Sequence, residues 1–475
     1  MISKRVEAAG IWALLGTLFA LVAINLPELG SDPWPFRNFE VEPQGVLAPL
    51  VRAAGEEWDV GIARAAAMLA GLLVAGAAAV LYRRPRSWPL GGAAALALVV
   101  ALMLIVPSTL LQVGLRDATE PWFHTNDSTY QIDLGGDLLL DGENPYGHDY
   151  RFSGLERFYS RDGTATQAVR DREVSLQHYA YFPGTAISGA IWRALPSPLD
   201  DYRIFVLLCT VAAFFAVLLF RAPLAWRLVI GVAVVANPIA VRSAWFGQND
   251  AVSILFMILA FALFTRERYK LSAASIAVAV LLKQFAIAAV PFLAVMYLKR
   301  NLDRRTLVRA GAVFGAVLAI GILPFLIADP RAFYEDTVKF GAGTYKIVGY
   351  GLSAILVRVG IIDDREGAYP FALLALLLWL PLTAWLLLVQ HRSRELWLGA
   401  AGFAISIVVL LFIGRTFNNY YLVWPLMGVA IAALMAAGEG RRGSRAPPPC
   451  GARSGGVVSV PRWGRERGSG LGPSQ

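Results

Sequence analysis

Charge is scarce in this sequence: only 16% of the 475 residues are Asp, Glu, Lys or Arg, against about 25% in ordinary soluble domains. Cysteine is scarcer still, at two residues. Cys209 lies in an apolar run and Cys450 near the C-terminal end, a pair that makes no disulfide framework. The period-2 alternation of a membrane β-barrel is missing, and no stretch repeats at the size of a soluble domain. These absences exclude a conventional soluble globule, a disulfide-stapled scaffold and a barrel. What is present is apolar. Hydrophobic side chains make up 57% of the chain and the mean hydropathy is +0.55. Many of the runs approach the ~20 residues that cross a ~30 Å hydrocarbon core. In lipid each such run must satisfy its own backbone, and so reads as a helix. The expected fold is an all-α polytopic membrane protein, a bundle of about 11–13 transmembrane helices with a large non-cytoplasmic loop.

The net charge of +9 does not point to nucleic acid, because of where the charge sits. Lys and Arg gather in short connections: Lys4-Arg5, Arg83-Arg84-Arg86, Arg266/Arg268/Lys270, Lys299-Arg300-Arg304-Arg305, Arg392/Arg394 and Arg441-Arg442. This is the positive-inside signature of cytoplasmic loops. Lys4-Arg5 precedes an apolar stretch with no small-x-small cleavage site, which reads as an uncleaved signal anchor. Three parts follow. Residues 1–88 hold two helices joined by an outer loop. Residues 89–437 form the main module, with outer loops at 114–183 and 329–370. Residues 438–475, rich in Gly, Pro, Arg and Ser, read as a disordered basic tail. Both termini are expected in the cytoplasm of a plasma-membrane protein.

Within the module, helices are expected near 89–113, 201–220, 224–243, 250–265, 306–328, 371–390, 395–413 and 420–437, with a short interfacial piece at 184–196. The apolar run 271–298 has basic clusters at both ends. Two short helices forming a hairpin, with Lys283-Gln284 at the apex, satisfy the charge rule; one long span violates it at one end. The loop 114–183 is far too long for a connector and is rich in Asp, Tyr, Gly and His. Within it, residues 128–140 suit a helix, with Gly142 as a left-handed C-terminal cap. Asp127 stands where an N-cap belongs. It is also a carboxylate at the outer membrane surface, placed to accept a proton from an attacking hydroxyl. The two roles are compatible if one oxygen caps while the other faces a cleft.

The order of motifs carries a resemblance. Asp127-Ser-Thr-Tyr130, a small-residue helix and Leu-Leu-Asp-Gly142-Glu-Asn-Pro145-Tyr146 resemble the first outer loop of the GT-C superfamily of integral-membrane glycosyltransferases. They look like the bacterial, especially actinobacterial, polyprenyl-phosphomannose-dependent mannosyltransferases. Tyr179-Ala-Tyr181-Phe182-Pro183 resembles the Tyr-x-Pro element that closes that loop. Gly247-Gln248-Asn249-Asp250 resembles the Gly-Gln-Asn turn, and Leu281-Leu282-Lys283-Gln284 with Pro291 the intramembrane lysine before a Pro-containing helix. The resemblance covers roughly residues 89–437. It departs at Asn419-Tyr420-Tyr421-Leu422-Val423, where Tyr420 stands in place of a frequent His.

The resemblance implies a sugar transfer, mannose-like, from a polyprenyl-phosphate donor to a hydroxyl of an envelope lipid or glycan on the outer face. It implies Asp127 as general base and Lys283 and Arg415 as binders of the leaving phosphate. Tyr130, Tyr146, Tyr181, Gln248, Asn249, Asp250, Gln284, Asn419 and Tyr420 become the candidate substrate contacts. Lys283 also stands out by itself, since an ammonium inside an apolar hairpin costs about 2.5–3.5 kcal/mol on insertion scales. The His and Asp residues of the outer loop match no metal-ligand spacing, so no metal or other cofactor is assigned. A secondary transporter or lipid flippase is the competing class. Transporters commonly show internal repeats and do not require an acidic outer loop of this length.

Overall fold

The computed structural model describes residues 127–159 and 167–443 continuously, helix α1 (Val60–Arg83), and scattered positions within 12–23, 48–49 and 95–116. The signal anchor at Lys4-Arg5, the outer loop of the N-terminal part, His124 and the tail beyond Gly443 lie outside the described residues. Nearly everything described is helical, and the protein is an all-α polytopic membrane protein. Three helical stretches, Arg304–Ala328, Phe371–Arg392 and Asn419–Glu439, are each long and apolar enough to cross a membrane. Six shorter apolar helices accompany them. The first two stretches bury only 17% and 11% of their apolar window against the rest of the chain, leaving a surface that lipid covers.

The run at 224–243, expected as one helix, is two: α5 (Leu224–Ala236) and α6 (Pro238–Trp245), bent by 49°. Pro238 has no N–H to continue the ladder. Asn237 repairs the break, its Oδ1 accepting from the Ala240 amide at 2.9 Å and its Nδ2 donating to the Ala233 carbonyl at 2.9 Å.

Residues 271–298 form the expected hairpin. Helix α8 (Tyr269–Leu282) ends at Lys283, which is extended (φ −154°, ψ 121°); a 3₁₀ turn (Gln284–Ala289) then leads into α9 (Val290–Lys299). Tyr297 donates to the Tyr269 carbonyl at 2.8 Å, so the two basic-flanked ends lie together and Lys283 stands at the apex. A single long span is incompatible with that contact.

Small residues fasten the outer loop to this apex. Helix α2 (Asp127–Leu140) crosses α3 (Pro183–Arg193) at Gly136 and Gly189, where a Cβ on Gly136 would fall 2.6 Å from the Gly189 carbonyl carbon. A Cβ on Gly184 would fall 2.6 Å from the Leu281 carbonyl oxygen, two residues before Lys283. Gly142 ends α2 at φ +80°, with the Glu143 amide reaching the Leu138 carbonyl at 2.7 Å, the left-handed cap read from the sequence. Beneath, α4 (Tyr202–Leu218), α7 (Asp250–Thr265), the hairpin, α11 (Leu398–Phe412) and α12 (Val423–Gly443) share one core around Phe261, Phe292, Phe403 and Trp424, all fully buried.

The second outer loop returns to the same place. After α10 (Arg304–Ala328) it winds through a π-helix (Glu335–Thr344), and Val348–Gly349 pairs in parallel with Thr416–Phe417. This pairing lays residues 345–350 beside the start of the last helix.

Candidate active site

Asp127 is the first residue of α2 and is half-buried. Tyr159 donates to its Oδ2 at 3.0 Å, and the backbone amides of Asp127 and Ser128 also face the carboxylate. Burial pushes the Asp127 carboxyl above its ordinary range; the Tyr159 hydrogen bond, the two amides and the Lys346 ammonium pull the other way without cancelling the rise. Tyr181, Tyr345 and Tyr420 lie close enough for its charge to act on their hydroxyls. Lys346, from the second outer loop, stands 5.2 Å from the centroid of the Tyr159 ring and pairs with Glu173 at 3.0 Å. A carboxylate offers roughly four lone-pair sites, so these donors leave room for an incoming hydroxyl.

On the far side of Tyr181 lies the hairpin apex. Lys283 is buried; its Nζ donates to Asn249 Oδ1 at 3.3 Å and lies 3.6 Å from Asp250 Oδ2. It stands 5.3 Å from the Tyr181 ring centroid and 5.6 Å from that of Phe285. Asp250 is anchored a second time, its Oδ1 accepting from Trp424 Nε1 at 2.8 Å. The Gly247–Asp250 turn that supplies these partners needs Gly247 at φ +65° and lies against the Arg203 side chain, 2.8 Å from where a Cβ would be. Arg203 is itself held by Asp201 at 2.6 Å with no exposure on either side chain. Tyr420 feels the charge of both Asp127 and Asp250, so the two acids flank one tyrosine.

Three side-chain atoms in this region are buried without a hydrogen-bond partner: Gln248 Oε1, Asn249 Nδ2 and Gln284 Oε1. Leaving a buried polar atom unpaired costs about 1–3 kcal/mol. A chain that carries three such atoms around one lysine has a place for hydroxyl groups, which both donate and accept.

The structure thus brings together Asp127, Tyr181, Gln248, Asn249, Asp250, Lys283, Gln284 and Tyr420, from segments far apart in the chain. It gives other candidates different work. Asp250 is 2% exposed, with Trp424 on one oxygen and Lys283 facing the other, an arrangement that anchors the lysine. Tyr130 is buried and donates to the Ser153 carbonyl at 2.6 Å; Tyr146 is buried and donates to the Tyr181 carbonyl at 2.8 Å. Both brace the loop. Arg415 is buried, and its guanidinium donates to the carbonyls of Tyr345 and Gly367. That fastens the second outer loop with two of the five guanidinium N–H groups. Asn419 is exposed, and it is Asn418 that donates to the Tyr420 hydroxyl, at 3.1 Å.

Several residues of the site escaped sequence reasoning. Lys346 and Tyr345 sit in the second outer loop, whose sequence has no motif. Tyr159 is one of many aromatics in the first outer loop, and Trp424 stands in an apolar helix with no motif around it. Asp336 is the most hidden: at 2% exposure it accepts from the amides of Gly147 (2.9 Å) and Tyr179 (3.1 Å) and pairs with His178 Nδ1 at 2.6 Å. It clasps the two outer loops together. Charge alone does not single out Lys346 and Asp336, since residues 329–370 also carry Asp329, Arg331, Glu335, Lys339 and Asp363-Asp364-Arg365-Glu366.

In comparison with known proteins, the family model of glycosyltransferase family 87 matches residues 179–414. The matched stretch opens at Tyr179 and includes Tyr181, the Gly247–Asp250 turn, Lys283 and Lys346; Asp127 precedes it. No curated protein and no solved structure matches the chain. The family match, together with the helical membrane architecture, supports a membrane glycosyltransferase, which takes a sugar donor and an acceptor.

Proposed function

We propose that this membrane glycosyltransferase moves a mannose-like sugar from a polyprenyl-phosphate donor to a hydroxyl of an envelope lipid or glycan, on the outer face of the plasma membrane. The observation that carries this reading is the facing of two poles across Tyr181. One is a half-buried carboxylate with capacity to accept a proton; the other is a buried ammonium at the apex of an apolar hairpin. A lipid-linked donor presents its phosphate at membrane depth and its sugar above it, which suits an ammonium inside an apolar hairpin and a carboxylate on the outer loop.

The reaction is a single displacement. The acceptor oxygen bonds to the anomeric carbon, the bond from that carbon to the phosphate oxygen breaks, and its electron pair leaves with the polyprenyl phosphate. The acceptor proton passes to Asp127, whose raised pKa makes it a better base than an exposed carboxylate. Lys283 has three N–H groups and two protein partners, so one N–H remains for the leaving phosphate. Stabilising developing charge in a shielded site is usually the largest catalytic term. Gln248, Asn249 and Gln284 are placed to receive sugar hydroxyls with their unpaired atoms. Tyr420 stands where the resembling enzymes often have His, and closes the site between the two acids. The basic hairpin ends and the basic connections support cytoplasmic termini and an outward-facing site, with residues 89–437 as the catalytic module.

The test uses purified protein, radiolabelled polyprenyl-phosphate sugars and a membrane-lipid extract, comparing wild type with Asp127→Asn. Transfer by the wild type and its loss in the variant are expected. Transfer undiminished by the substitution overturns Asp127 as base, and no transfer from any polyprenyl-phosphate sugar overturns the donor class.

A further inference from the structure

The tyrosine beneath the proposed base is not explained by sugar binding. Tyr159 is half-buried, and its hydroxyl is spent on Asp127 Oδ2 rather than offered to the cleft. Its ring is covered by the Lys346 ammonium at 5.2 Å, and Lys346 is in turn fixed by Glu173 Oε2 at 3.0 Å. Ser175 bonds the other Glu173 oxygen through its hydroxyl at 2.6 Å, and its side chain also faces both Tyr159 and Tyr345. The segment carrying Tyr345 and Lys346 is tied to the end of the bundle by Arg415, which donates to the Tyr345 carbonyl, and by the Val348–Thr416 pairing. A continuous chain of contacts therefore runs from Arg415 through Lys346 and Tyr159 to Asp127.

We propose that Tyr159 is a positioning residue for the base, and that the second outer loop sets the base by clamping Tyr159 with Lys346. The inference rests on the reading of Asp127 as the base. Two physical consequences follow from the geometry. The hydrogen bond fixes the carboxylate's rotation about its side chain, and a base held in one orientation keeps the attacking hydroxyl in line. The same bond, with the Lys346 charge, favours the ionised form against the burial that opposes it. The titratable and charged side chains that face Asp127 include Tyr159, Tyr181, Tyr345, Tyr420 and Lys346. Of these only Tyr159 donates a hydrogen bond to it and only Lys346 is a cation, so each acts through a distinct means.

The experiment is steady-state transfer by the full chain in detergent or nanodiscs, across pH, for wild type, Tyr159→Phe, Lys346→Met and Asp127→Asn. Tyr159→Phe keeps the ring and the packing. It is expected to lower kcat on the order of 10- to 100-fold, with donor KM changed less than threefold. Removing the hydrogen bond raises the Asp127 pKa further, so the acid limb of the kcat profile moves to higher pH by about one unit. Lys346→Met is expected to move that limb in the same direction by less, since its charge is shared with Glu173. Thermal unfolding of each variant separates a folding defect from a catalytic one. An inactive Asp127→Asn beside a Tyr159→Phe enzyme with unchanged kcat and acid limb overturns the positioning role alone. An active Asp127→Asn overturns the parent reading instead. A Tyr159→Phe enzyme that is folded and loses donor KM rather than kcat also overturns it, since that pattern assigns the phenol to substrate binding.

Discussion

Asp127 and Asp250 are both the first residue of a helix, both act on Tyr420, and each has a lysine close by. Both gain from the positive end of their helix dipole. Yet they are held differently. Asp250 is 2% exposed, with one oxygen on the Trp424 indole and the other facing Lys283. Asp127 is half-buried, its lysine is diverted to Glu173, and its fixed partners are a phenol and the amides of its own helix start. A carboxylate closed off from solvent beside an indole and an ammonium is suited to be a strut; a half-buried one with no ammonium bound to it is open to take a proton. Local sequence is the same kind of signal at both sites, and it is the distant partners that divide the roles.

The sharpest way to break this contrast is to remove the same charge from each site. Asp127→Asn is expected to lower kcat about 10³-fold or more while leaving the unfolding midpoint near wild type. Asp250→Asn should do the reverse. It leaves Lys283 buried without its counter-charge, a loss of about 3–5 kcal/mol in buried pairs, read as a fall in thermal stability that the double variant Asp250→Asn/Lys283→Met largely restores. Equal kcat losses with equal stability losses at both positions would erase the distinction. Lys283→Met alone is expected to cost on the order of 10²-fold in kcat, with the pH profile on the acid side unmoved, because the lysine acts on the leaving group and not on the base.

A smaller effect tests how the two poles are kept in register. Gly184 lies against the Leu281 carbonyl, joining the loop that carries Tyr181 to the hairpin that carries Lys283. The contact is to backbone, so a side chain there must push the helices apart, at about 1–3 kcal/mol. Gly184→Val is expected to reduce kcat tenfold or so and to lower stability. Gly311, with open space around its Cβ position, is the control, and Gly311→Val should leave both unchanged.

Much of this was readable before any coordinates. Helicity, the hairpin with Lys283 at its apex, the Gly142 cap and the helix opening at Asp127 follow from apolar length, flanking charge and turn chemistry. Each of these is a local property of ten to thirty residues. What could not be read was pairing across the chain. Arg415 looks like a phosphate ligand because it is a cation at a helix end; that it also ties down the Tyr345 and Gly367 carbonyls depends on where a loop seventy residues earlier comes to rest. Lys346, Asp336 and Tyr159 carry no local signature for the same reason. The bend at Asn237-Pro238 was different: the proline was in plain view, and a continuous apolar run outweighed it.

The finest test of the contrast compares two tyrosines. Tyr159 and Tyr420 both lie within the field of Asp127, and burial raises the Tyr159 phenol above its ordinary range. A phenol is neutral near pH 7, so any difference between them comes from hydrogen bonding and packing. Tyr159 donates to the carboxylate; the Tyr420 hydroxyl accepts from Asn418 and stacks edge-on against Tyr421. Tyr420→Phe therefore loses neutral hydrogen bonds to Asn418 and Tyr421, about 1 kcal/mol each, and no contact that fixes the base. Its expected kcat loss is threefold or less, with the acid limb where the wild type has it. If Tyr420→Phe moved that limb as far as Tyr159→Phe does, the polarity of the surroundings and not the single hydrogen bond would be setting the base. Asp127 would then be tuned by its whole tyrosine-lined wall.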